Sequence, residues 1–227
     1  DDLNEDVAAD RIAKAANGGG LTCDAPFTGR VNLYADQAGV LVIDRQAVDA
    51  MNRIDPAITI ATLPEYARVL AGRMVATAKI IPFAAPERLV AEAEQRISGA
   101  LRVAPFKPHR VGLVATRLPH LKPSTMDKTR RVLEARLAAS GSTILAEERV
   151  DHREEAVADA MAKLAGQGAD FLILFGASAV VDRKDILPAA IDRAGGTVEQ
   201  FGMPVDPGNL LMIGSYEGLP VIGAPGC

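Results

Sequence analysis

Asp170-Phe171-Leu172-Ile173-Leu174-Phe175-Gly176-Ala177-Ser178 is the stretch that decides the fold. Its apolar run has no polar alternation, which is the pattern of a strand buried on both faces in a parallel sheet. The strand runs into a turn of small residues, then Asp182 and Asp185, then a helix with Pro188 near its start. That order gathers backbone N–H groups beside a positive helix end, the arrangement by which α/β proteins hold an anion. Two carboxylates in such a loop require a bridging cation or a ligand whose N–H groups donate to them.

Residues 107 to 227 alternate strand and helix. Arg110 to Ala115 reads as a strand, Thr125 to Ser140 as a helix with Met126, Val132, Leu133 and Leu137 on its apolar face, and Ser142 to Val150 as a second strand. A helix from Arg153 to Gly166 follows, with Val157, Met161 and Leu164 on one side, and the helix from Asp185 to Ala194 is stopped by Gly195-Gly196. Thr197 to Met203, Leu210 to Ser215 and Pro220 to Gly223 are strand-like, with connections too short for helical crossovers, so they are expected as antiparallel edge pairs or a small hairpin lobe. The expected class is α/β: a three-layer α/β/α domain with a mostly parallel sheet over residues 106–227. Residues 1–105 differ in texture. A helix from Asp6 to Ala16 is followed by β-rich segments at Arg30 to Tyr34, Gly39 to Ile43, Ala57 to Ala61 and Arg73 to Ile81. These predict a smaller N-terminal β-rich (α+β) module, with a linking helix, Pro86 to Ser98, opened by proline at its first position.

The totals narrow the function. With 227 residues and 48% hydrophobic content the chain can bury a substantial core. No apolar run reaches the roughly 20 residues of a membrane span, and the acidic start Asp1-Asp2-Leu3-Asn4-Glu5-Asp6 is unlike a signal peptide, so a cytoplasmic, non-membrane protein is expected. The net charge of -4 and the lack of clustered Lys and Arg argue against nucleic acid. Cys23, Cys227 and three scattered histidines give no metal-ligand spacing, and no metal site is expected.

Ligands of open α/β sheets sit beyond the carboxyl ends of the strands, so three loops are expected to converge. The first supplies Thr116, Arg117, His120, Lys122 and Ser124, enough to grip an anion; its plainer reading is a solvated loop braced by Pro119 and Pro123. The second supplies Gly176, Ala177 and Ser178 as an anion cradle, with Asp182 and Asp185, the latter also suited to cap the following helix. The third joins Asp206-Pro207-Gly208-Asn209 to Ala224-Pro225-Gly226, stretches that composition alone would make turns. His109 and His152, isolated near element ends, read as surface histidines, and Lys79 as a lysine on a solvated strand face. Ser178 sits where a nucleophile elbow would place a serine, but Val180 stands in place of its last glycine, which disfavours a serine hydrolase.

The order of the pieces at these loops resembles the molybdopterin-binding domain shared by molybdopterin adenylyltransferases and molybdenumtransferases. The pieces are Asp170 to Ala177, Asp182-Arg183, Pro188-Ala189-Ala190-Ile191, Gly195-Gly196, Val205-Asp206-Pro207-Gly208 and Leu219 to Gly226. Pro26 to Leu33 and Met74 to Phe83 resemble a module that accompanies such domains in bacterial molybdenum-cofactor proteins. The resemblance implies molybdopterin or molybdenum cofactor as ligand, Asp182 on its amino-pyrimidinone edge, Mg²⁺ and a nucleotide in the enzymes, other molybdenum-cofactor proteins as partners, and a homo-oligomer. The chain departs from the pattern in its first loop, where Thr116-Arg117-Leu118-Pro119-His120 replaces the acidic loop of the enzymes. It departs again at Ala177, Ala179, Asn209 and Cys227. Losing the acidic loop separates ligand binding from adenylyl transfer. Three alternatives therefore stand: a pterin-binding protein of cofactor biosynthesis or handling, a non-catalytic carrier or sensor, and a nucleotide-dependent transferase with another substrate. The catalytic residues are unassigned.

Overall fold

The structure, a computed structural model, describes residues 1–119, 122–178, 180–206 and 208–225. Three residues expected at the site, His120, Pro207 and Gly226, lie outside the described residues, as do Leu121, Ala179 and Cys227. The chain divides into two compact units, Asp1–Phe106 and Lys107–Cys227.

The first unit contains β1 (Asp2–Asn4), α1 (Glu5–Ala16), β2 (Leu21–Cys23), β3 (Arg30–Ala35), β4 (Gly39–Ile43), α2 (Arg45–Asn52), β5 (Ile58–Thr62), β6 (Arg68–Val69), β7 (Met74–Ile80), β8 (Ala84–Pro86), α3 (Glu87–Ile97) and β9 (Leu101–Pro105). Its sheets run β2-β3-β7-β5, β6-β4-β9 and β1-β8, all antiparallel. Two expectations need correction here. Helix α3 does not link units: Val90, Ala93 and Ile97 are fully buried in the same core as Ile12 of α1 and Met51 of α2. Pro86 is the cap of α3 rather than its first helical residue, because it is the last residue of β8, paired with Asp2. Helix α2, which the β-rich reading passed over, is announced by Asp44, whose carboxylate accepts the Ala47 N–H at 3.0 Å. Lys79 is exposed on β7.

The second unit contains β10 (Arg110–Arg117), α4 (Pro123–Ala138), β11 (Thr143–Asp151), α5 (Glu154–Gly166), β12 (Phe171–Gly176), α6 (Ile186–Arg193), β13 (Thr197–Phe201), β14 (Met212–Tyr216) and β15 (Leu219–Pro225). They build one six-stranded sheet in the order β11-β10-β12-β15-β14-β13. The first four strands are mutually parallel; β14 runs antiparallel to β15 and β13 antiparallel to β14, so the three closing segments belong to the main sheet rather than to a separate lobe. Strand β12 has the apolar run it does because it is covered twice. Leu172 and Leu174 pack with Val157, Met161 and Leu164 of α5 and Leu187 and Ile191 of α6, while Ile173, flanked by Phe171 and Phe175, packs with Leu133 and Leu137 of α4. Gly112 lets α5 come close: a Cβ there would sit 2.8 Å from Leu172 Cδ2 and 3.0 Å from Leu164 Cβ. Val132 does not join the core as expected. One residue from Leu133 it is turned about 100° around α4, and it is 43% exposed. Helix α4 is tied to the edge strand β11 through Glu147, which accepts from Arg130 at 3.2 Å and Arg149 at 2.7 Å, Arg149 also reaching Asp127 at 2.7 Å.

Candidate functional site

The order of the first strands decides where a ligand can sit. The chain leaves β10 to form β11 on one side, with α4 on one face, then crosses back through α5 on the other face to form β12 on the far side of β10. At this reversal the loops after β10 and β12 leave toward opposite faces and open a crevice at the carboxyl edge. The register aligns the strand ends: Ala115 lies opposite Phe175, and Gly176 opposite Pro225. Because Met212 at the start of β14 lies opposite Gly223 and Phe201, the turn from Gly202 to Leu211 emerges at the same edge, on the β13–β14 side. All the loops named from the sequence therefore leave one end of the sheet.

Hydrogen bonds join the first two of these loops through a residue that sequence reasoning set aside. Thr116, 2% exposed at the end of β10, accepts the Ala177 N–H at 2.7 Å through Oγ1, which also lies 3.3 Å from the Phe175 carbonyl. Its third neighbour is His152 Nδ1, at 2.8 Å. The other ring nitrogen of His152 lies 2.9 Å from Ser178 Oγ, and the His152 N–H donates to the Arg117 carbonyl at 3.1 Å. His152 follows β11 directly, so three adjacent strands each contribute one member of a Thr116–His152–Ser178 chain. Burial, opposed by the nearby Asp185 carboxylate, holds the His152 imidazole below the ordinary histidine pKa. His109 lies at the other end of the sheet, 3.1 Å from Asp170 and with its ring 5.4 Å from that of Phe171.

An open cleft of about 630 Å³ adjoins this chain, lined by Arg117, Leu118, Pro119, Pro123, Asp151, His152 and Arg153. Arg117 Nε is 3.1 Å from Asp151 Oδ1, and Arg153 is 3.9 Å from the other oxygen. Two guanidiniums thus share one carboxylate, all well exposed, a weak and exchangeable arrangement that an anionic ligand can displace. Lys122 is the cap residue of α4 and Ser124 lies in its first turn; both are exposed, and Ser124 lines a second cleft of about 430 Å³ between α4 and Phe175.

In the β12–α6 loop both carboxylates have partners within the loop itself. Asp185 is the cap residue of α6, yet its carboxylate turns back to accept the Val181 N–H at 2.6 Å and the Asp182 N–H at 2.8 Å. Those amides, Asp182 first, hold the Asp185 carboxyl below the usual carboxylate range. Asp182 has the structural role that its sequence context hid: Oδ1 accepts the Lys184 N–H at 2.7 Å, closing a turn. Gly176 is needed by the loop itself, since a Cβ would lie 2.9 Å from the Ser178 carbonyl and 3.2 Å from Leu187. Gly208, at φ +126°, and exposed Asn209 belong to the β13–β14 turn, closed by Leu211 N–H to Gly208 O at 3.0 Å; no side-chain hydrogen bond among the described residues joins this turn to the other two loops. Among the described residues no group of three or more His, Cys, Asp or Glu could hold a metal ion, and no helix is long and apolar enough to cross a membrane.

Fold and site together define an open, doubly wound α/β domain with a cationic cleft at the carboxyl edge of its sheet. No family model and no curated protein matches the chain. Solved structures similar to it include molybdenum cofactor biosynthesis protein B, at 17% identity over 55% of this chain and 84% of that one, with a TM-score of 0.40. The molybdopterin biosynthesis MoeA protein from Pyrococcus horikosii is 16% identical over 99% of this chain and 74% of that one, with a TM-score of 0.38. The protein CinA, of unknown function, from Thermoplasma acidophilum is 11% identical over 52% and 89%, with a TM-score of 0.42.

Proposed function

We propose that the unit Lys107–Cys227 binds a phosphorylated pterin of the molybdopterin class and acts in the biosynthesis or handling of the molybdenum cofactor. The observation that carries this reading is the alignment of strand ends at Ala115, Phe175 and Ala224, beside a cleft bearing Arg117 and Arg153. The motif order described above supplies the ligand class. In this reading the phosphate exchanges with Asp151 for the two guanidiniums, which offer planar forked donors to its oxygens. The Asp182 oxygen not engaged by Lys184 accepts N–H groups of the pterin edge. Ser178, exposed on the same loop, completes the polar wall.

Anaerobic titration with molybdopterin, followed by thermal unfolding of the full chain, tests the proposal. Ligand at 100 times its dissociation constant is expected to add about 2.7 kcal/mol of stability. The gain should be lost in the Arg117→Gln/Arg153→Gln double variant and reduced in Asp182→Asn. No upward shift in the wild type, or an equal shift in the double variant, overturns the assignment.

A further inference from the structure

We propose that Thr116, His152 and Ser178 form a nucleophile relay, in which Ser178 Oγ attacks the phosphorus of an activated phosphoester, of the phosphoanhydride class, held in the adjoining cleft. The inference stands on bond geometry and does not need the ligand to be a pterin. Ser178 is exposed and its Oγ lies 2.9 Å from His152 Nε2, within reach for proton transfer from a hydroxyl to a base.

The bonds around Thr116 select the tautomer that this chemistry needs. Its Oγ1 has one proton to give and two lone pairs to fill. With the hydroxyl donating to the Phe175 carbonyl at 3.3 Å, the two lone pairs accept the Ala177 N–H at 2.7 Å and a His152 Nδ1–H at 2.8 Å. Every contact of this buried oxygen is then used, and the proton on Nδ1 leaves Nε2 bare toward Ser178. The opposite tautomer takes the Thr116 proton for Nδ1 and leaves the contact to Phe175 without a hydrogen. Thr116 is thus a positioning residue, with a buried hydroxyl where nucleophile relays more often carry a carboxylate.

In the step itself, the Oγ–P bond forms as the P–O bond to the leaving group breaks. The hydroxyl proton passes to His152 Nε2 and then to the departing oxygen. Arg117 and Arg153, which line the same cleft as His152, stand ready for the non-bridging oxygens. The charged group that bears on His152 is Asp185 at the cap of α6, while Arg117 at the end of β10 and Asp151 and Arg153 on either side of it line the cleft it faces. Ionisation of the relay should therefore follow one titration with a midpoint below that of an ordinary histidine.

A fluorophosphonate probe, followed by intact mass and peptide mapping of the full chain, reads the relay without any natural ligand. The Ser178 Oγ–P bond forms, the P–F bond breaks, fluoride leaves and the proton ends on His152 and then in solvent. A single adduct on Ser178 is expected, its rate rising with pH to a plateau. The rate should fall on the order of 100-fold in His152→Gln, fall in Thr116→Val and be restored in Thr116→Ser. ¹⁵N spectra of the wild-type imidazole, which no substitution can unfold, should show the proton of neutral His152 on Nδ1. An adduct elsewhere, an equal rate in His152→Gln, or a proton on Nε2 overturns the relay. Failure there with intact molybdopterin binding would leave the ligand assignment standing, and the reverse holds as well.

Discussion

Replacing Thr116 with valine removes one oxygen from a side chain that is 2% exposed and hardly changes its shape. The Ala177 N–H, held at 2.7 Å, loses its acceptor, and His152 Nδ1 loses its partner. An unsatisfied buried donor costs about 1–3 kcal/mol, partly offset by the gain from burying a methyl in place of a hydroxyl. A net loss of about 2 kcal/mol is expected, equivalent to roughly 30-fold in the closing equilibrium of the β12–α6 loop. Thr116→Ser keeps the oxygen and gives up a methyl, at about 1 kcal/mol. Urea unfolding of the full chain measures the totals, and amide exchange at Ala177 separates the causes. Exchange at Ala177 should accelerate about 30-fold in Thr116→Val and change little in Thr116→Ser. If valine is tolerated as well as serine and Ala177 keeps its protection, the hydroxyl does not join the two loops.

Other substitutions probe the same edge of the sheet. Gly176→Ala places a Cβ 2.9 Å from the Ser178 carbonyl and 3.2 Å from Leu187; a loss of about 1–3 kcal/mol is expected by urea unfolding, and a midpoint equal to wild type would contradict the tight turn. Asp185 has its carboxyl pKa lowered in the folded state, so its contribution to stability is present above the ordinary value of 3.8 and is lost as pH falls through the lowered one. Carbon-13 titration should place the Asp185 midpoint below 3.8, and Asp185→Asn should weaken protection of the Val181 and Asp182 amides. His152 also titrates below its unfolded value of 6.5, so the unfolded chain takes up the proton first. Stability from this group is then complete above about pH 6.5 and declines as pH falls below it. Wild-type stability relative to His152→Gln should fall from pH 8 to pH 5, and a difference independent of pH would refute the burial of the ring.

The parts of the fold legible in the sequence are those where burial writes itself as an uninterrupted apolar run or a helical stripe. Phe171 to Phe175 and the stretch with Val111, Leu113 and Val114 are such runs, and Val157, Met161 and Leu164 are such a stripe, all in the core around β12. Legibility failed where a residue's role comes from partners distant in the chain. His152 looked solitary because Thr116 is 36 positions before it and Ser178 is 26 after it. A signal was nevertheless available: the rule that ligands gather at strand carboxyl ends picks out Thr116 at the end of β10 and applies equally to His152 just after β11. Asp182 failed in the opposite sense: its carboxylate looked free in sequence, yet it accepts a loop amide two positions on. Asp185, legible as a cap of the following helix, holds that position with its carboxylate turned to loop amides instead. Helix α3 read as a linker because its proline start resembles a fresh beginning, whereas its buried face belongs to the first unit.

A phosphorylated pterin is proposed to occupy the cleft at the carboxyl edge of the sheet. Hydrogen exchange read by mass spectrometry, with and without saturating molybdopterin under anaerobic conditions, addresses it residue by residue. New protection is expected to be confined to the segments around Thr116 to Pro119, Asp151 to Arg153 and Gly176 to Asp182. Unchanged exchange there, or protection appearing only in Asp1–Phe106, would contradict it.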